Sequence, residues 1–96
     1  MYLSKLILNP RSRRVQREIA EPYQMHRSLM RAFPKDLKDG AERVLFRLEQ
    51  GRNGALILLV QAWSLPDWSW LAEPAARDYL QPVSEPNPAV KAFDLD

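Results

Sequence analysis

Cysteine is absent from this 96-residue chain, and histidine occurs once. Without cysteine there is neither a disulfide framework nor a thiolate-held metal. Zinc and iron sites built on imidazoles usually take two or three, so one histidine argues against a metal, and no cofactor is expected. Only three glycines are present, and they form no Gly-rich phosphate loop. No paired-carboxylate constellation and no nucleophile triad can be found. Long apolar runs are missing as well: nothing approaches the roughly 18–20 residues of a membrane span. The N-terminal stretch MYLSKLILN is interrupted by Lys5 and is too short for a signal peptide. The cytoplasm is therefore the default compartment, with no membrane partner.

What is present is the composition of one small globular domain: 46% hydrophobic residues, with three each of Phe, Trp and Tyr. The formal net charge of +2 conceals a gradient. Residues 1–35 carry eight Lys/Arg against two Glu, residues 36–66 carry four against four, and residues 67–96 carry two against six. A basic front suits phosphates. The same arginines would also serve simply to solvate two helix faces.

Hydrophobic periodicity organises the chain. YLSKLILN (2–9) reads as a strand closed by Asn9-Pro10. The basic stretch 11–20 reads as a loop with at most a turn of helix, anchored by Val15 and Ile19. Glu21-Pro22 opens a helix, because proline's missing N–H has no intrahelical partner at the first position. On that helix Met25, Leu29, Ala32 and Phe33 fall on one face, which must be buried. Tyr23, Arg27 and Arg31 recur at i, i+4 and i+8 as a separate stripe, with His26 and Met30 between the two. Pro34 ends the helix. ERVLFRLEQ (42–50) alternates like a half-buried strand, GRNG (51–54) supplies a turn, and ALILLVQAW (55–63) reads as a deeply buried strand. Asp67 can cap a short helical turn whose tryptophans cover the sheet edge.

The order predicts an α+β, ferredoxin-like (RRM-like) βαββαβ domain over residues 1–72, with its last strand missing or incomplete. Residues 73–96 read as a Pro-rich, extended, weakly packed tail, of which VKAFDLD (90–96) supplies at most part of a strand. An incomplete fourth strand would leave the first strand an open edge, inviting a homodimer or a strand-swapped oligomer. A non-catalytic α+β module that self-associates through that edge is thus one reading of the chain.

The second reading starts from the helix. RNA carries its own nucleophile, the ribose 2′-hydroxyl. Cutting it requires a group to take that proton, a group to protonate the leaving 5′-oxygen, and a cation beside the phosphorus. Histidine exchanges a proton near neutral pH, and tyrosine can orient or relay one. Tyr23, His26, Arg27 and Arg31 therefore hold the needed groups without a metal. Each residue also has a plain structural reading: a half-buried packing histidine, a boundary aromatic and solvated arginines. The tryptophans at 63, 68 and 70 suit core cover better than base stacking. The strand ALILLVQA lacks the aromatics with which RNA-recognition sheets stack bases.

MYLSKLILNPRSR, then EPYQMHRSL, then RVLFRLE, LILLVQ and PDW, in this order, resemble the N-terminal half of CasE, the CRISPR repeat-processing endoribonuclease family of type I-E systems. The resemblance runs from Met1 to about Trp68. It implies two tandem ferredoxin-like domains, of which this chain holds most of the first. It implies metal-independent cleavage of precursor CRISPR RNA at the base of the repeat hairpin, leaving a 2′,3′-cyclic phosphate and a 5′-hydroxyl. The family's catalytic histidine falls on His26 and its assisting tyrosine on Tyr23. Phosphate contacts fall on Arg27 and Arg31, with Arg13 and Arg14 of the basic stretch as further candidates. The implied partners are the repeat hairpin and the other Cascade subunits. The family is about twice as long, so this chain alone is expected to cleave weakly or not at all.

Overall fold

The computed structural model describes residues 1–33, 44–51 and 54–92. Four strands form one sheet: β1 (Tyr2–Leu8), β2 (Leu45–Gln50), β3 (Leu56–Ala62) and β4 (Ala89–Ala92). Their spatial order is β2-β3-β1-β4, with every neighbouring pair antiparallel. This is the ferredoxin-like arrangement that the element order predicts. Leu6 lies opposite Leu58, Leu8 opposite Leu56 and Ser4 opposite Val60. The period of two sends Ser4, Leu6 and Leu8 to the same face as Leu58, Val60 and Ala62, and all six are buried. Lys5 and Arg47 project from the other face and are exposed.

Two helices fill the first crossover, α1 (Arg13–Ala20) and α2 (Pro22–Met30). α1 corrects the expectation of a loop. Its apolar content is low, but Ser12 caps it by accepting a hydrogen bond from the Val15 amide at 3.2 Å. Arg14 and Glu18, four residues apart, pair along its side. Pro22 has no N–H to continue α1, so the chain turns at Glu21 and starts α2, with Met25, Leu29, Ala32 and Phe33 buried as the periodicity requires. The Asp67 amide donates to the Ala32 carbonyl at 2.7 Å, which ties down the chain after α2. Pro34, positions 42–43 of the alternating stretch, 52–53 of the turn and 93–96 of VKAFDLD lie outside the described residues.

The second crossover contains 3-10 turns, Trp68–Ala72 and Pro74–Ala76, where an ideal member of this fold has an α-helix. Asp67 caps the first of these by accepting from the Ser69 amide. Trp68 and Trp70 are buried; the Trp68 indole N–H donates to Ser4 Oγ at 3.0 Å. Trp63 stays exposed.

Residues 73–92 are not a weakly packed tail. Tyr79 is completely buried in the core, and Leu80 forms a bridge with Leu8. β4 covers Tyr2–Lys5 of β1. Beyond β4, the side-chain amide of Asn87 does what a strand backbone would do. Its Oδ1 accepts from the Ile7 amide and its Nδ2 donates to the Ile7 carbonyl, both at 2.9 Å, while Nδ2 also reaches the Gln81 carbonyl. The expected open edge along β1 is therefore closed. The physical reason is that a primary amide carries the same donor and acceptor as a peptide group. Self-association through β1 would first have to displace these contacts.

This edge makes a test. Asn87→Ala should cost about 1–3 kcal/mol, since the part-buried Ile7 N–H loses its acceptor while the Ile7 carbonyl keeps the Gln81 amide. The Ile7 amide should also exchange its hydrogen faster relative to the centre of β3. Unchanged protection at Ile7 would show that the amide does not hold the edge.

Among the described residues no helix is long and apolar enough to cross a membrane.

Candidate active site

α2 carries the predicted residues, and its helical phase sorts them. Each residue advances about 100°. His26, Tyr23 and Arg27 thus spread over about 100° of the outer surface, in that angular order, with Arg31 about 40° further round. Tyr23 is 71% exposed, and His26, Arg27 and Arg31 are exposed as well. His26 lies on the side nearest β2, its ring centroid 6.2 Å from that of Phe46. Both rings reach solvent, and the ring contact described for His26 is the one to Phe46.

Arg27 and Arg31 lie on the opposite flank of the same helix. They help to line an open cleft of about 510 Å³, formed also by Arg14 and Arg17 of α1, with Glu18 and Ser28 beneath. His26 and Tyr23 do not line it. The four arginines are not equivalent. Arg31 donates to both carboxylate oxygens of Glu73, at 2.8 and 2.5 Å, and its guanidinium lies 5.1 Å from the Trp70 ring centroid. That hydrogen bond holds the exposed Glu73 carboxyl below its ordinary range. Arg14 donates to Glu18 Oε2 at 3.0 Å and to Ser28 Oγ at 3.1 Å, and lies over the rings of Trp70 and Tyr79. Arg17 and Arg27 make no hydrogen bond to a side chain among the described residues. Arg13, at the start of α1, is exposed and outside the cleft.

Below the cleft sits a buried polar network that the periodicity of the sequence did not reveal. Glu18 is only 3% exposed, a position that carboxylates rarely occupy without partners. Its Oε2 accepts from Ser28 Oγ at 2.6 Å as well as from Arg14, and its Oε1 accepts from the Tyr79 hydroxyl at 2.7 Å. Three donors from α1, α2 and the second crossover thus converge on one carboxylate, two residues along the chain from His26 in the case of Ser28. The phenol of Tyr79 is pushed well above its ordinary pKa of 10. Burial disfavours the phenolate first, and the hydrogen bond and negative charge of Glu18 add to it. The local sequence signal was the i, i+4 pair Arg14–Glu18; Ser28 and Tyr79 are joined to it only by the fold.

Comparison with known proteins agrees with this architecture. A family model described as CRISPR associated protein matches residues 1–94. The CRISPR-associated endoribonuclease Cse3 of Thermus thermophilus is 45% identical over 92 residues, which cover 95% of this chain and 43% of the relative. Among solved structures, a Cse3 endoribonuclease bound to 19-nucleotide RNA superposes with a TM-score of 0.76 at 42% identity, over 98% of this chain and 41% of that one. A Thermus thermophilus CRISPR-associated protein gives 0.77 at 41% identity, over 100% and 47%. A Cse3 bound to RNA as a pre-cleavage complex gives 0.67 at 42% identity, over 97% and 44%. The chain spans less than half the length of these relatives. With a ferredoxin-like sheet, an exposed Tyr-x-x-His-Arg helix beside a basic cleft, and a family match over nearly its whole length, the chain belongs to the CRISPR associated protein family.

Proposed function

We propose that this chain is the catalytic N-terminal domain of a metal-independent endoribonuclease that cuts precursor CRISPR RNA at the repeat hairpin. One observation carries this reading: the sole imidazole and a phenol stand exposed together on α2, and the residue after His26 leads into a cleft of guanidiniums. The RNA-bound Cse3 neighbours support RNA as the substrate class.

In this reading a strand crosses α2 with the scissile phosphate over Tyr23 and His26. The 2′-hydroxyl attacks the adjacent phosphorus and the 5′-oxygen leaves, giving a 2′,3′-cyclic phosphate and a 5′-hydroxyl. His26 is the principal acid–base group. Tyr23 orients the reacting groups or relays a proton. Arg27, which has no side-chain hydrogen bond among the described residues, is the cation beside the developing charge, whereas Arg31 reaches phosphate only by sharing itself with Glu73. Arg13 remains an outer contact to the backbone. Arg14, held by Glu18 and Ser28, shapes the cleft wall more than it binds substrate. A second domain grips the hairpin, and the whole protein works in the cytoplasm with the other Cascade subunits.

The nucleophile gives a direct test. A repeat hairpin with a single 2′-deoxyribose at the cleaved position should be bound but left uncut by the two-domain protein, while the all-ribose hairpin is cut. Cleavage of the deoxy substrate at the normal rate would eliminate 2′-hydroxyl attack.

A further inference from the structure

α2 is attached to the rest of the protein in two ways. Met25 and Leu29 are buried in the core, an attraction that has no direction of its own. Ser28 adds a directional tie. Its hydroxyl donates to Glu18 Oε2 at 2.6 Å and accepts from Arg14 Nη2 at 3.1 Å. Among the described residues no other side chain between Pro22 and Met30 is hydrogen-bonded to another element. Glu18 does not move with α2, because it belongs to α1 and its Oε1 accepts from the Tyr79 hydroxyl at 2.7 Å. The carboxylate is thus fixed from two sides, and α2 is tied to it at one point.

We propose that Glu18 and Ser28 are positioning residues for cleavage: the buried carboxylate holds α2 by the Ser28 hydroxyl and so sets the rotation at which Tyr23 and His26 meet the RNA. The inference rests on the ribonuclease reading above and adds two residues outside the proton-transfer pair. Its leverage is geometric. Ser28 follows His26 by two residues, about 200° round the helix, so the hold is nearly opposite the imidazole. Side chains extend about 5–6 Å from the helix axis, so a turn of about 10° carries the imidazole about 1 Å. A displacement of that size lowers a rate by up to about 10²-fold. Removing one of the three donors to Glu18 should turn the helix less than this and slow cleavage about tenfold. The chemistry of the tie suits the task. Glu18 is 3% exposed and both of its oxygens have donors, so water does not compete for Ser28. A buried carboxylate is a poor way to join two helices for stability alone, since well-packed apolar residues of similar volume do as well or better. What it supplies is direction: the 2.6 Å hydrogen bond holds at one angle, whereas apolar contacts tolerate sliding.

The test uses the two-domain protein and the all-ribose repeat hairpin, with single-turnover cleavage at saturating enzyme and hairpin affinity measured side by side. Ser28→Ala should cut about tenfold more slowly. Its affinity should be unchanged, because Arg14 keeps Glu18 as a partner and the cleft wall stays in place. Ser28→Thr, which returns the hydroxyl, should restore most of the rate. Asn87→Ala controls for stability: it loosens the β1 edge without touching Glu18 or Ser28, and should cut at the parental rate. All are compared at a temperature where urea unfolding shows them folded. Should Ser28→Ala not fold, Tyr79→Phe takes a different donor from the same carboxylate and should slow cutting at unchanged affinity. A parental rate in whichever of the two variants folds would overturn the positioning role. So would a Ser28→Thr rate as low as that of Ser28→Ala, or an equal slowing by Asn87→Ala, which would trace the loss to stability. Affinity falling in step with rate would make Ser28 a binding contact instead, and overturns the proposal too. A parent that leaves the all-ribose hairpin intact would overturn the ribonuclease reading as well, whereas a parental rate in the variants overturns the positioning alone.

Discussion

His26→Ala in the two-domain protein is expected to remove RNA cleavage almost completely while leaving hairpin binding intact. A positioned acid–base group contributes about 10²–10⁴ in rate, and no second imidazole exists in this chain to substitute for it. Binding should persist because the side chain is exposed and, among the described residues, its ring contact is with Phe46. The folded state should lose little for the same reason. Tyr23→Phe should fall between parent and His26→Ala, since it keeps the ring and deletes only the hydroxyl. Single-turnover cleavage with saturating enzyme separates the chemical step from binding. If His26→Ala cuts at the parental rate, the catalytic assignment is wrong. If it cuts slowly and binds weakly to the same degree, His26 is a contact rather than a proton-transfer group.

Tyr79→Ala should have the largest effect on stability, about 3–5 kcal/mol, the usual cost of deleting a buried aromatic ring. The ring is completely buried against Trp70, with centroids 5.6 Å apart, and its hydroxyl satisfies the buried Glu18 carboxylate. A domain of this size has only about 5–15 kcal/mol to lose, so the variant should be partly unfolded or should melt far below the parent. Urea unfolding measures this, and a midpoint unchanged from the parent would mean that residues 73–80 are not part of the core. Tyr79→Phe separates ring from hydroxyl and has a pH signature. The folded-state pKa of this phenol is raised above 10, its unfolded value. Below pH 10 both states are protonated and the contribution is fully present. Above pH 10 the unfolded chain releases a proton that the folded chain retains, so stability falls as pH rises. The phenylalanine variant should be less stable at neutral pH, because Glu18 loses a donor, and should lose less of its stability between about pH 10 and 12. Parallel alkaline unfolding of the two proteins would contradict that.

Local patterns carried much of the fold. α2 buries the stripe that its periodicity selects, and β2 half-buries Phe46 and Leu48 as its alternation requires, whereas β1 and β3, read as apolar runs, bury only alternate residues on one face of the sheet. α1 was harder to see, since Val15 and Ile19 are too few to make a stripe; the informative residues were Ser12 and the Arg14–Glu18 pair, a cap and a side-chain brace. Residues 73–92 were misread for a different reason. Four prolines among them suggest an extended chain, and the chain is indeed extended in places, but Tyr79 and Asn87 anchor it through partners 61 and 80 residues away. No local window contains such information. The same holds for the site. Tyr23, His26 and Arg27 could be read from one helical turn, whereas the ties on Arg31 depended on Glu73 and Trp70, brought in by the second crossover.

The solitary imidazole beside Phe46 has a practical consequence. In a proton spectrum its two carbon-bound hydrogens need no assignment, and the neighbouring phenyl ring adds a ring-current displacement that depends on their separation. A ligand that shifts α2 relative to β2 will therefore move those resonances even when it never touches them, so the protein carries a built-in gauge of how its working helix sits on the sheet.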